Sequence, residues 1–303
     1  MITAVWPGGI STSSVGMRAG AHVLTMAADP INRGILRSVL EEPLQVPDGH
    51  FEVTPEGREG LFVAFVVERW LQSAPEGPIE FSGKEAGLAV TALAEGWSSG
   101  LIHALAQRPQ TFRELQRAVD GLGKRALRRI LSAMRRAGQV EVRTSADGDA
   151  AAYAPTDWLR AGVAALAASA RVERRDPRAE TVPIDALDVE AAFLLSLPLL
   201  VLPADLTGGC RLGVNLEDDT WAPIGEPDPS MAGVTARVDR GRVVSCTAGL
   251  DLRADTWGAG TASDWLDTVI EPDAKRVRTG GDRRLAALLL NGLHQTLFGV
   301  PTR

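Results

Sequence analysis

The stretch TFRELQRAVDGLGKRALRRILSAMRRAGQVEV, residues 111–142, decides how the chain is read. Thr111 and Glu114 have the spacing of a capping box, with the hydroxyl accepting from a backbone N–H three residues on and the carboxylate reaching back. A short helix is therefore expected from Phe112, broken at DGLG (120–123) by glycines that tolerate the positive φ of a turn. In the second helix, about Lys124 to Ala137, Leu127, Ile130, Leu131 and Met134 fall at i, i+3, i+4, i+7 and form one apolar stripe. Arg125, Arg129, Ser132 and Arg136 lie opposite, with Lys124, Arg128 and Arg135 on the flanks. One side faces a core and the other faces a polyanion, which is the layout of a helix-turn-helix recognition helix.

Charge is distributed to match. The 303 residues carry a net charge of −6, which argues against a protein that coats nucleic acid. The average hides an asymmetry: ten Lys or Arg against three Asp or Glu between Arg108 and Arg143, but five against eleven from Asp29 to Glu85 and twelve against nineteen from Asp176 onward. Positive charge is therefore concentrated on the candidate recognition unit. The opening MITAVWPGGIST has no basic region followed by an apolar one, and the run from Ala191 to Pro203 is too short to span a bilayer and is broken by Pro198. A cytoplasmic protein with no membrane partner is expected. Cys210 and Cys246 lack metal-ligand spacing and read as small buried hydrophobes.

Outward from the opening stretch the chain repeats itself. LAEGWSSGLIHAL (93–105) aligns with MAADPINRGILRSVL (26–40), and AYAPTDWLRAGVAALAA (152–168) with FEVTPEGREGLFVAFVV (51–67). The second copy carries helix, turn, basic helix and hairpin strand where the first has only EEPLQVPDGH (41–50). Residues 1–16 read as a disordered leader, 17–85 as a winged helix lacking its recognition helix, 86–175 as a complete winged helix-turn-helix and 176–183 as a charged linker. Residues 184–303 form a third part. There, strands are expected at 210–216, 234–238 and 243–247, with a further one at 249–257 and a last at 277–281; an apolar helix followed by a buried strand or turn is expected over 187–202, and helices at 261–269 and 282–298. The fold class is α+β.

Two families are resembled. GW (96–97), QTFREL (110–115), the run 122–140 ending in RAG, and YAPT (153–156) resemble the HxlR type of winged helix within the MarR-like regulators. That resemblance implies a bacterial transcription regulator on double-stranded DNA, contacting phosphates from the flanks and base edges through Arg125, Arg129 or Arg136. The wing tip SADGDA (145–150) departs from it, being acidic where a phosphate-touching wing is usually basic. RGRVVS (240–245), SDWL (263–266), TGGD (279–282), LAALLL (285–290) and LF (297–298) resemble the sterol-carrier-protein type of domain, an α/β sandwich-like unit whose curved sheet and helices enclose an apolar tunnel. It implies an apolar or aromatic small molecule as ligand, with Trp221, Trp257 and Trp265 as the large flat surfaces to hold it.

The expected function is a ligand-responsive regulator in which occupancy of the C-terminal domain shifts the winged helices between arrangements. One reading head gives a short site, so a homodimer, or the first copy as pseudo-partner, is expected. The rival is a small-molecule sequestering protein, conferring drug tolerance, in which the winged helices are scaffold. An enzyme is not expected: there is no G-x-S-x-G, and LTGGCRLG (206–213) lacks the order of a dinucleotide loop, which weakens a methyltransferase reading. The four histidines are scattered, so neither metal nor cofactor is expected.

Overall fold

The structure is a computed structural model that describes Leu24 and residues 55–119, 121–144, 151–175, 184–216, 231–272 and 276–299. The leader, the linker, the wing tip, Trp221 and the part of the expected first winged helix before residue 55, apart from the buried helical Leu24, lie outside these residues. What is described is α+β, with two separate sheets.

The first part runs α1 (Pro55–Gln72), α2 (Lys84–Ser98), α3 (Leu101–Gln107), β1 (Gln110–Thr111), α4 (Phe112–Ala118), α5 (Lys124–Arg136), β2 (Val140–Thr144), β3 (Ala151–Pro155), α6 (Asp157–Ala161) and α7 (Val163–Arg175). The three strands pair antiparallel in the order β1-β3-β2, Gln110 facing Tyr153 and Val142 facing the same residue from the other side. The capping box forms as its spacing requires: Glu114 N–H donates to Thr111 Oγ1, and Thr111 N–H to the Glu114 carboxylate at 2.7 Å. α5 ends in a Schellman motif, Gln139 N–H to Met134 O at 2.9 Å and Gly138 N–H to Arg135 O at 3.0 Å, with Gly138 at φ 74°. The buried Gln139 amide then donates to Ala89 O at 2.7 Å, tying that end of the helix to α2. α2 and α5 approach closely at Gly96, where an added Cβ would stand 2.9 Å from the Met134 sulfur.

The two long helices that the repeat aligns, α1 and α6–α7, pack against each other. They run antiparallel: Glu59 near the start of α1 meets Arg175 at the end of α7, and Trp70 near the end of α1 stacks on Trp158 of α6.

The second part runs α8 (Ala186–Ser196), a 3-10 turn at Leu197–Leu199, β4 (Gly208–Asn215), β5 (Met231–Asp239), β6 (Arg242–Ala248), β7 (Thr256–Thr261), α9 (Ala262–Ile270), β8 (Arg278–Gly280) and α10 (Arg283–Leu297). Its sheet order is β6-β5-β4-β7-β8, antiparallel except for the β4–β7 pair. The turn between β5 and β6 puts Arg240 and Gly241 at φ 48° and 72°, and a Cβ on Gly241 would stand 2.3 Å from Leu202 O. Thr261 and Asp282 cap α9 and α10. One expectation is corrected: 249–255 is not a strand. Gly249, at φ 92°, turns the chain out of β6, and pairing resumes only at Thr256.

The buried apolar side chains form one cluster that runs from Leu24 through α1–α7 into the C-terminal sheet and α10. α3 and α8 pack together, His103 Nε2 lying 3.5 Å from a Glu190 carboxylate oxygen, and Arg160 donates to Leu194 O at 3.2 Å. Arg69 of α1 donates to the carbonyls of Leu297 and Gly299, capping the open end of α10.

Candidate nucleic-acid interface

α5 is amphipathic because its apolar positions recur at helical spacing. Leu127, Ile130, Leu131 and Met134 are buried, and Lys124, Arg125, Arg128, Arg129, Ser132, Arg135 and Arg136 are exposed. All seven residues expected at the interface therefore lie on the outer side of one helix. Six are basic and none is acidic.

Their environments differ. The Arg128 guanidinium sits over the Phe112 ring, 5.4 Å from its centroid, which fixes the flank against α4. Arg136 Nε is 3.4 Å from Ser132 O in its own helix. Arg129 is ion-paired within the chain: its Nη1 donates to both carboxylate oxygens of Glu95 on α2, at 2.9 and 2.8 Å. A helical wheel places Arg129 outward, but α2 crosses beside it and supplies a carboxylate 34 positions earlier in the chain. Arg125, Arg129 and Arg136 all lie on the exposed face.

Arg113 and Arg117, at i and i+4 on α4, are exposed while Leu115 between them is fully buried, which adds two cations on the helix that carries Phe112. Nearby, Glu114 is tied into the capping box and to Arg108 at 2.8 Å, and these bonds hold its carboxyl down at about 2. Arg143 on β2 pairs with Glu141 of the same strand.

Trp257 and Trp265 do not share a pocket. Trp265 is buried on the helix side of the C-terminal sheet, donating to Gly213 O at 2.8 Å and meeting Phe193 edge to face at 5.0 Å. Trp257 is a strand residue of opposite parity to Gly258, which itself faces Trp265, so it projects from the other side of the sheet.

Among the described residues no group of three His, Cys, Asp or Glu is arranged to hold a metal ion, and no helix is long and apolar enough to cross a membrane. Cys210 and Cys246 are free, and burial pushes both thiols up to about 12. In comparisons with protein-family models, curated proteins and solved structures, nothing matches this chain.

Proposed function

We propose that the protein is a DNA-binding transcription regulator whose α5 enters the major groove, and whose C-terminal sheet and helices hold a small molecule that modulates binding. The observation that carries the reading is the outer face of α5, where Lys124, Arg125, Arg128, Arg135 and Arg136 are exposed behind a capped α4 and ahead of a β-hairpin. That order of elements is what the resemblance to HxlR-type winged helices implies. A five-stranded sheet bearing α9 and α10 likewise suits the sheet-and-helix plan of sterol-carrier-type domains.

The two halves are joined in a way that supports modulation. α7 continues from the wing strand β3 through α6 and ends in ion pairs with α9: Arg171 and Arg175 both meet the Asp267 carboxylate, at 3.1 and 2.6 Å. A shift of α9 on ligand binding would move α7 and, through β3, the hairpin beside α5. One reading head implies a homodimer on an operator with two half-sites.

Mobility shift of duplex DNA across a salt series tests the reading. Binding should weaken steeply with salt, with a slope of about −0.9 per phosphate contact. Changing Arg125 and Arg136 together to Ala should remove sequence preference, at about 1–3 kcal/mol per lost base contact. No binding to any duplex at low salt would leave the sequestering reading, in which the helices only support the ligand-binding unit. The Glu95 carboxylate occupying Arg129 favours that second reading.

A further inference from the structure

We propose that β6 is an interface strand: a second copy of this chain pairs antiparallel along its outer edge, joining the two C-terminal sheets across a two-fold axis.

Four sheet edges are present among the described residues, and three of them are blunted. β1 is two residues long and β8 three, too short to template another strand. β2 carries Glu141 and Arg143, charges that resist a stray strand. β6 has no such protection over most of its length. It runs seven residues, RVVSCTA, and after Arg242 neither charge nor proline interrupts the sequence as far as Leu250. Val244, Ser245, Thr247 and Ala248 are exposed. Among the described residues only Val201 pairs with the outer side of this strand, at Arg242, so the edge is open from Val244 onward.

Local geometry says which part can pair. Arg237 faces Ser245 and Val238 faces Val243, so Val244 is an extra residue, a bulge that twists the first part of the edge. Beyond it Ser245, Cys246, Thr247 and Ala248 oppose Arg237, Ala236, Thr235 and Val234 without interruption. Backbone groups on the outer side of residues 245–248 are therefore presented in regular register to a further strand. Val244 and Val201, 56% and 68% exposed, supply apolar surface beside them.

This edge fits a copy of itself. With a two-fold at Cys246, the middle of the open run, antiparallel pairing sets Ser245 against Thr247 of the other copy, two small polar side chains on the same face. The same alignment carries the basic end of the strand, Arg242, toward the other copy's Asp251, whereas parallel pairing would set Arg242 against Arg242. Pairing also closes on itself. Each copy uses β6 once, and β8 is too short to recruit a third, so the product is a dimer and not a fibre.

The choice of a second copy over a strand from another protein rests on the regulator reading, in which one recognition helix per chain calls for two chains per operator; the edge itself does not need DNA. Sedimentation velocity of the full chain without DNA tests it. The chain should sediment as a dimer at micromolar concentration, and the backbone amides of residues 245–248 should exchange with deuterium more slowly above the dissociation midpoint than below it. Ser245→Lys with Thr247→Lys, or Ser245→Glu with Thr247→Glu, should raise the dissociation constant about a hundredfold or more, because like charges then stand opposite each other. Circular dichroism and thermal melting check that both variants fold, and an equimolar mixture of the two should restore a dimer. A monomeric unaltered chain, dimerisation unchanged in both variants, no recovery on mixing, or exchange at 245–248 that is independent of concentration would each overturn the proposal. A dimer in a protein that shifts no DNA would leave the interface standing and remove the regulator reading; a chain that binds duplex as a monomer would do the reverse.

Discussion

Trp70 and Trp158 donate to each other: each indole N–H bonds the other residue's carbonyl oxygen at 2.8 Å, and the rings stack 4.5 Å apart at 12°. Both residues are buried and stand 88 positions apart, so this pair fixes the register of α1 against α6. Trp158→Phe keeps most of the ring contact and removes one hydrogen bond, the Trp70 carbonyl still accepting from Ser73, so it should cost about 0.5–1.5 kcal/mol. Trp158→Ala should cost about 3–5 kcal/mol. Urea unfolding monitored by circular dichroism distinguishes these; equal small losses would mean that the reciprocal bonds contribute nothing.

Glu95→Gln releases Arg129. The pair is largely solvent-exposed, so stability should change by no more than about 1 kcal/mol. If α5 binds DNA, affinity should rise several-fold at low salt and the salt slope should steepen by about one unit, because one more cation meets phosphate. An unchanged slope would place Arg129 away from the duplex.

Arg171 is buried where α1, α7 and α9 meet, bonded to Asp267 at 3.1 Å and to Glu271, with Glu59 at 4.0 Å. Arg171→Ala leaves Asp267, itself 8% exposed, with only Arg175 and Arg276 to compensate it. Removing one partner from a buried ion network typically costs about 3–5 kcal/mol. Arg276→Ala, half-exposed, should cost under about 1 kcal/mol. A reversed ranking in thermal melts would show that the network is not anchored on Arg171.

Acid should loosen two specific places. Glu114 is held down at about 2 by Thr111 and Arg108, and Glu271 is held below its ordinary value by Arg171. A carboxylate whose folded value is depressed contributes stability that is complete above its unfolded value and is lost as pH falls through the folded one. Both contributions should therefore be intact at pH 6 and fade below about pH 4.5, with the capping box persisting toward pH 2. Carboxyl titration by NMR reads this directly; a Glu114 midpoint near 4.5 would contradict the capping geometry.

The two thiols should be inert in the folded protein. With Cys210 and Cys246 both pushed up to about 12, a disulfide-exchange reagent at pH 8 should react slowly with the native chain and with two equivalents after guanidinium unfolding. Fast native reaction would mean that β6 opens.

What could be read from the sequence was what is local. The Thr111–Glu114 box, the stripe on α5, the Gly138 stop and the caps at Thr261 and Asp282 are each set within about one helical turn. The rest comes from contacts that no local period encodes. Arg129 lies outward on a helical wheel, and only the fold brings Glu95 of α2 to it. Residues 249–255 alternate like a strand, but Leu252 is exposed and its carbonyl accepts from Arg211 on β4. Trp257 and Trp265 are near in sequence, yet one lies on a strand and the other on the following helix, and the sheet passes between them.

The bonds from Arg69 to Leu297 and Gly299 have a consequence for synthesis. They join residues 228 and 230 positions apart, so the end of α1 finds its partners only after residue 299 has left the ribosome. α2–α7 can assemble as they emerge, because their pairings with one another lie much closer in sequence. α1 can pack on α6 and α7 in the same way, through Trp70 and Trp158, but the patch at Phe62 waits for Phe298. During translation that waiting surface is where a chaperone would find this chain exposed.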